Sequence, residues 1–379
     1  MTDEGGPRRA PLPFGPGDVV AGRYRLEEAI GAGGMSAVVA ATHLLLDERV
    51  ALKFVLRAGE RAAGATERLL REARITAKFG SPHVVRVLDA GIASSGHLFV
   101  VMELLRGEDL RQRLATTRRL PLATALEYTL EACDALAEAH SLGVVHRDVK
   151  PSNLYLAART RDAREVIKVL DFGVSKISGS PSPGGDLTGS NVVGSPCYMA
   201  PEQFSASGRV DGRADVWSLA AVLFECLAGS PPYRARTLSE YGVVLGAGQR
   251  PPPLRALRGD VPRTLDDVLA RALAMNPAER TATIEAFARD LVAFLPRKHP
   301  LRAQWLAPLE PPEPLHAKPA AATARSAPRP PRSEGSITRV TPRSALLNAI
   351  EAARRWRLLL LFAALATALA TAAGLRALR

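Results

Sequence analysis

One polar loop constrains this chain more than any other feature. His146-Arg147-Asp148-Val149-Lys150-Pro151-Ser152-Asn153 gathers an acid, cations and a metal-capable amide into eight residues. Asp171-Phe172-Gly173 comes 18 residues after Asn153, following the apolar strand expected at Val166–Leu170. Two acids and an Asn arriving from separate loops are hard oxygen donors that suit Mg²⁺ and leave one carboxylate for work on a nucleophile. Two unrelated polar loops are the plainer reading of either run alone. The rest of the chain decides between the two.

Upstream, Tyr24 to about Met102 is β-rich. A strand runs into Ile30, a Gly-rich turn comes next, and further strands are expected around Val38–Thr42 and at Arg49–Leu56. A helical stretch at Glu67–Phe79 interrupts them, and Leu98–Leu104 is another apolar strand. After Gly107 the periodicity turns helical, at Leu122–Leu142, Ala214–Leu227, Leu265–Met275 and Thr283–Leu295. The expected order is a small sheet-rich lobe, about 24–104, then a larger helical lobe, about 105–295.

Charge separates these two lobes from the C-terminal tail. Pro296–Arg379 carries 14 Lys/Arg against 4 Asp/Glu, which leaves 36 against 34 on Met1–Leu295. The net charge of +12 therefore belongs to the tail, and no nucleic-acid partner is expected without a fold to carry one. Cys133, Cys197 and Cys226 lie far apart, odd in number and without CxxC spacing, which argues against a disulfide framework or zinc site and fits a reducing compartment. Residues 1–23 lack an apolar stretch and read as a flexible leader rather than a secretory signal.

Eleven prolines between Pro296 and Pro342, among Ala and Arg, mark 296–345 as a disordered linker. A basic juxtamembrane segment, 346–357, leads to Leu358–Leu375, 18 residues without a charge. At 1.5 Å per residue that stretch is about 27 Å long, against a bilayer core of ~30 Å, so one C-terminal transmembrane helix is expected. Arg354, Arg355 and Arg357 outnumber Arg376 and Arg379 in the short basic tail 376–379, which keeps the N-terminal side cytoplasmic, in a single-pass protein of the cell membrane. With four residues beyond the span, regulation is expected from dimerisation, a membrane partner or a cytoplasmic input rather than an external sensor.

Two further motifs precede the polar loop. In Ile30-Gly31-Ala32-Gly33-Gly34-Met35-Ser36-Ala37-Val38, glycines at a turn between strands let backbone N–H groups approach phosphate oxygens, because no Cβ blocks them. Alone, such a run is more often just a turn. Val50-Ala51-Leu52-Lys53 puts a cation on an apolar strand, where a snorkelling edge lysine is the ordinary reading. Glu72 is its plausible counter-ion, set at the right spacing before Ser81-Pro82-His83-Val84-Val85; Glu67 competes for the role.

Taken in order, these motifs, with Ala200-Pro201-Glu202, Asp215-Val216-Trp217-Ser218 and a late Arg280, make the chain resemble the eukaryotic-type protein kinase family over about Tyr24–Leu295. It looks most like the bacterial membrane-anchored serine/threonine branch. The resemblance implies an α+β, bilobal protein-kinase fold and a non-specific serine/threonine protein kinase that uses ATP and Mg²⁺ on Ser/Thr hydroxyls of protein substrates. A homodimer is a possible partner state.

The resemblance also implies roles. Lys53 grips the α/β-phosphates and pairs with Glu72, beneath the Gly-rich loop and beside Ala51. Asn153 and Asp171 hold Mg²⁺. Asp148 orients the substrate hydroxyl and accepts its proton late, while Lys150 neutralises the γ-phosphate and favours Ser/Thr over Tyr. Met102 borders the adenine pocket, with the backbone of Glu103 and Leu105 bonding the base. Glu202 pairs with Arg280, and Asp215 braces the catalytic loop. Arg147 receives a phosphate from the segment Asp171–Glu202, with Thr188 and Ser190 as candidates; the plainer reading is that these hydroxyls keep a Gly/Pro-rich loop soluble. Ser36 replaces the third loop glycine, and Ser195 replaces the usual Thr while keeping its hydroxyl. No catalytic position is lost, which weighs against the alternative, a catalytically silent kinase-fold scaffold.

Overall fold

The structure, a computed structural model, describes residues 14–32, 36–55, 73, 75–158, 164–172, 196–204, 210–248 and 250–306. Six strands build the first lobe: β1 (Val19–Val20), β2 (Tyr24–Ala32), β3 (Ser36–His43), β4 (Glu48–Val55), β5 (Val87–Ile92) and β6 (Leu98–Glu103). Their order is β1-β2-β3-β4-β6-β5, with every neighbouring pair antiparallel. Strand alternation sorts β4 into two faces. Val50, Leu52 and Phe54 enter a cluster with Leu26, Val39 and Phe99, which puts Ala51 and Lys53 on the other face.

The folded region begins earlier than the sequence pattern indicates. Val20 pairs with Tyr24, and Phe14 packs on Phe54 with ring centroids 4.9 Å apart, so 14–23 belongs to the folded lobe rather than to a leader. A two-residue strand has no readable periodicity, and its evidence is an aromatic partner 40 residues away. Of the expected helix Glu67–Phe79, Ala73, Ile75 and Thr76 are helical; the part up to 72, and residue 74, lie outside the described residues.

The second lobe contains β7 (Gly107–Asp109), α1 (Leu110–Thr117), α2 (Leu122–Ser141), β8 (Leu154–Ala158), β9 (Glu165–Val169), α3 (Arg213–Ala228), α4 (Leu238–Gly246), α5 (Leu254–Leu257), α6 (Arg263–Ala272), α7 (Ile284–Val292) and α8 (Pro300–Leu306). Helix α3 buries 14 of its 16 residues, so it is the central post of this lobe rather than a surface helix. It stops at Gly229, whose φ of 82° is open to glycine, and whose N–H bonds Glu225 O. Helix α6 is amphipathic by contrast, burying Leu265, Val268, Leu269 and Ala272.

A three-stranded sheet, β7-β8-β9, contains the expected apolar strand at Val166–Leu170 as β9, whereas β7 and β8 are not seen in the sequence because β7 has only three residues and pairs with a strand far along the chain. Gly107 is required there. Its φ is 140°, and a Cβ would lie 1.9 Å from Leu156 O.

The linker expectation also needs a correction at its start. Residues 300–306 form α8, with Leu301 buried and Trp305 packed on the core, so the fold continues past Pro296. Prolines at 296 and 300 fit a turn and a first helical turn as well as they fit a linker. Residues 307–379, including Leu358–Leu375, lie outside the described residues; among the described ones no helix is long and apolar enough to cross a membrane. Cys133, Cys197 and Cys226 are buried and form no disulfide.

Glu202 and Arg280 meet as the sequence implies. Arg280 Nη1 and Nη2 lie 2.7 and 3.0 Å from the two carboxylate oxygens, and the guanidinium sits 5.1 Å from the Trp217 ring centroid. The Arg280 side chain has no exposed surface, so removing its counter-ion strands a buried charge. Glu202→Ala should lower unfolding stability by about 3 kcal/mol. Arg49→Ala, which breaks the half-exposed pair with Glu27, should cost under about 1 kcal/mol. Chemical denaturation of the two variants beside the parent checks both, and equal losses would contradict the assignment.

Candidate active site

The site is built around a carboxylate that does no chemistry. Asp215, in the first turn of α3, is wholly buried. Its Oδ2 accepts the His146 N–H at 2.8 Å and lies 2.8 Å from His140 Nε2; its Oδ1 accepts the Arg147 N–H at 2.8 Å. Arg147 thereby adopts φ 62°, a conformation that a side-chain-bearing residue holds only when its surroundings fix it. His146 Nε2 donates to Leu170 O at 2.9 Å while its Nδ1 accepts from the Asp148 N–H at 3.2 Å, which sets the neutral Nε2–H tautomer.

Asp148 is aimed by this brace. Lys150 Nζ donates to Asp148 Oδ2 at 2.8 Å, and Asn153 Nδ2 donates to Asp148 O at 2.8 Å and to Oδ2 at 3.1 Å. Asn153 has spent its amide N–H₂ on Asp148, so its side-chain carbonyl oxygen is the donor it offers a cation. Its backbone carbonyl accepts the Leu170 N–H at 2.9 Å, which fixes the end of β9 to the loop.

Asp171 emerges from β9 with φ 50° and reaches Lys53 Nζ of β4 in an ion pair. Phe172 turns inward, 4.8 Å from the Phe79 ring and 5.0 Å from His146. Asp148, Lys150 and Asn153 therefore share one cluster, and the strand and loop contacts bring Lys53 to Asp171 beside it. Lys53 pairs with Asp171 here. Glu72, its expected counter-ion, lies outside the described residues, so that pairing is not on view.

The other expected residues line the sheet and the connection between the lobes. Ile30 is half exposed on β2, Gly31 and Ala32 pair with Val38 and Ala37 of β3, and Ser36 opens β3. Gly33, Gly34 and Met35 are outside the described residues, as are Thr188, Ser190 and Ser195. Ala51 is buried opposite Met102 of β6. Glu103 and Leu105 are half-buried in the connection to the second lobe. The Glu103 carboxylate accepts the Arg86 N–H at 2.8 Å and Lys168 Nζ at 2.7 Å, tying that connection to β9.

Several supporting residues escape the sequence pattern. His140 flanks Asp215, Gln203 Nε2 donates to Arg147 O at 2.9 Å, and Glu131 accepts the Ile167 N–H of β9 at 2.8 Å. Burial pushes the Glu131 carboxyl above the usual range, against the pull of the Ile167 N–H and of His83 and Arg164. Glu225 is likewise raised by burial, with the Tyr198 hydroxyl opposing at 2.5 Å. A Glu on an apolar helix face is the one signal available for Glu131.

Among the described residues no cluster of three or more His, Cys, Asp or Glu could hold a metal. Asp171 and Asn153 together offer hard oxygens and no sulfur or imidazole. That donor set fits Mg²⁺, which binds through one or two protein groups and completes its shell with phosphate oxygens and water.

Comparison with known proteins gives the same family from three directions. A family model described as a protein kinase domain matches residues 24–292. The chain is 36% identical over 283 residues to the serine/threonine-protein kinase pkn3 of Myxococcus xanthus, covering 73% of this chain and 51% of that protein. It is 37% identical over 263 residues to the serine/threonine-protein kinase PknH of Mycobacterium tuberculosis, covering 69% of this chain and 40% of that one. It thus spans about half or less of the length of these curated relatives. The crystal structure of the Mycobacterium tuberculosis PknI kinase domain aligns with a TM-score of 0.57 at 31% identity, over 73% of this chain and 98% of that one. The chain belongs to the protein kinase family, with a bilobal eukaryotic-type kinase domain of the bacterial serine/threonine kind.

Proposed function

We propose that the chain is an ATP-dependent protein serine/threonine kinase. The observation that carries this reading is Lys150 and Asn153 converging on Asp148 Oδ2 beside the Lys53–Asp171 pair. A bound Mg²⁺–ATP would supply the γ-phosphoryl group and neutralise charge between its phosphates. Asn153, through its carbonyl oxygen, and Asp171, through its carboxylate, would hold the metal. Lys53 would turn from Asp171 to the α/β-phosphate oxygens, with Glu72 as its other partner and the backbone of 31–36 covering the phosphates. Ala51, Met102 and the backbone of Glu103 and Leu105 would hold the base.

Asp148 would accept a hydrogen bond from the substrate Ser or Thr hydroxyl and align its oxygen on the γ-phosphorus. As that O–P bond forms, the bond to the β–γ bridging oxygen breaks and ADP departs. The hydroxyl proton passes to Asp148 and then to solvent. Lys150 would offset the charge of the transferring group. Positioning and fixed charge supply most of the acceleration in such transfers. The same geometry explains why loss of Asp148 should affect rate more than nucleotide binding. Asp148→Asn should lower phosphate transfer to a generic protein substrate by about 10²–10⁴-fold while leaving ATP affinity within about twofold. Equal, background-level transfer by both proteins would favour the silent scaffold instead.

We further infer that Leu358–Leu375 anchors the chain in a membrane with the kinase domain on the cytoplasmic side. The support is its uncharged length and the arginines at 354, 355 and 357. Full-length protein should sediment with membranes and need detergent for release. Full recovery in the soluble fraction without detergent would overturn the anchor.

A further inference from the structure

The family model ends at residue 292, yet the fold continues through α8. That segment is held at three points. Arg302 Nη1 donates to the last carbonyls beyond α7, to Ala293 O at 3.1 Å and Leu295 O at 3.2 Å. His299 Nε2 lies 2.9 Å from Glu127 of α2. Gln304 Nε2 donates to Asp134 Oδ1 of α2 at 2.8 Å.

Asp134 faces two ways. Its Oδ2 accepts the Ser81 hydroxyl at 2.5 Å, and one turn later on α2 Glu138 accepts the Gly80 and Ser81 N–H groups at 2.6 and 2.8 Å. Two carboxylates one helical turn apart repel each other, and the donors they take from Gly80 and Ser81 offset that repulsion. The junction borders an open pocket of about 510 Å³ that Ser81, Asp134, Glu138, Arg289 and Trp305 help to line. Polar bridges, more than continuous packing, therefore join α8 to the 80–81 loop.

That loop leads directly to the site. Phe79 packs on Phe172, Val169 N–H donates to His83 O at 2.8 Å, and Val85 N–H donates to Val169 O at 3.3 Å. Val169 ends β9, two residues before Asp171.

We propose that Asp134 is a positioning residue for Asp171 and that Gln304 sets it, so that α8 is a working extension of the kinase domain. The path runs from Gln304 through Asp134 and Ser81 to Phe79, β9 and Phe172. A shift of α8 would thus act on the metal-side carboxylate through β9, while the loop of Asp148 keeps its own brace on Asp215. The inference rests on the proposed role of Asp171 as a metal-holding residue.

The test uses two substitutions at Gln304, an exposed position with no core packing to lose. Gln304→Glu sets a second carboxylate against Asp134; Gln304→Lys keeps a donor there. In the full chain, Gln304→Glu should speed hydrogen exchange in peptides spanning 79–85 and 166–172, leave β2–β4 unchanged, and raise the Mg²⁺ concentration for half-maximal transfer by about three- to tenfold. The protein-substrate KM should stay within about twofold. Gln304→Lys should match the parent in both readouts. Unchanged exchange in Gln304→Glu, or equal impairment in both variants, would overturn the proposal. A parent chain without transfer activity would sink the kinase reading instead, and the exchange measurement would still decide this one.

Discussion

The buried carboxylate of Asp215 is the constraint on which the rest of the site depends. An ionised group with no exposed surface is tolerated only when its lone pairs are filled, and here two backbone N–H groups and the His140 ring fill them. Those same bonds hold Arg147 at a positive φ and aim the next residue, Asp148, at Lys150 and Asn153. Because Asp215 sits on the most buried helix of the fold, the catalytic loop inherits the rigidity of the core.

The two lobes contribute differently. The first is a sheet with a modest aromatic and aliphatic cluster, and it delivers one charge, Lys53, from the face of β4 that turns away from that cluster. The second holds the acids and the amide on short loops between core elements. The Lys53–Asp171 pair and the Glu103–Lys168 pair join the lobes. Opposite charges set against each other would offer a partner to each component of the proposed Mg²⁺–ATP ligand.

Much of this is legible in the sequence, for a physical reason. Chemistry that needs an acid, an amide and a cation in one loop leaves them adjacent in the chain, so Asp148, Lys150 and Asn153 announce themselves, and α3 shows as an unbroken apolar helix. What escapes detection depends on distance in sequence. β1 and β7 are too short for a period, and the partner of β7 is remote. Residues 300–306 look like linker because proline content is read locally, while the burial of Leu301 and the contacts of Trp305 are tertiary. Asp134 and Glu138 look like ordinary solvated helix acids until the 80–81 loop is laid across them.

The most direct test is the turnover number of Asp215→Asn in the full chain, measured at a temperature where its thermal melt shows it folded. An amide in place of the carboxylate keeps one acceptor and loses the other, so either the His146 or the Arg147 N–H loses its partner and Asp148 shifts. The kcat for phosphate transfer should fall by about 10²-fold, as misplacement of about 1 Å does, with ATP affinity within about twofold of the parent. A folded Asp215→Asn protein with kcat within twofold of the parent would contradict the claim that this carboxylate sets the catalytic loop.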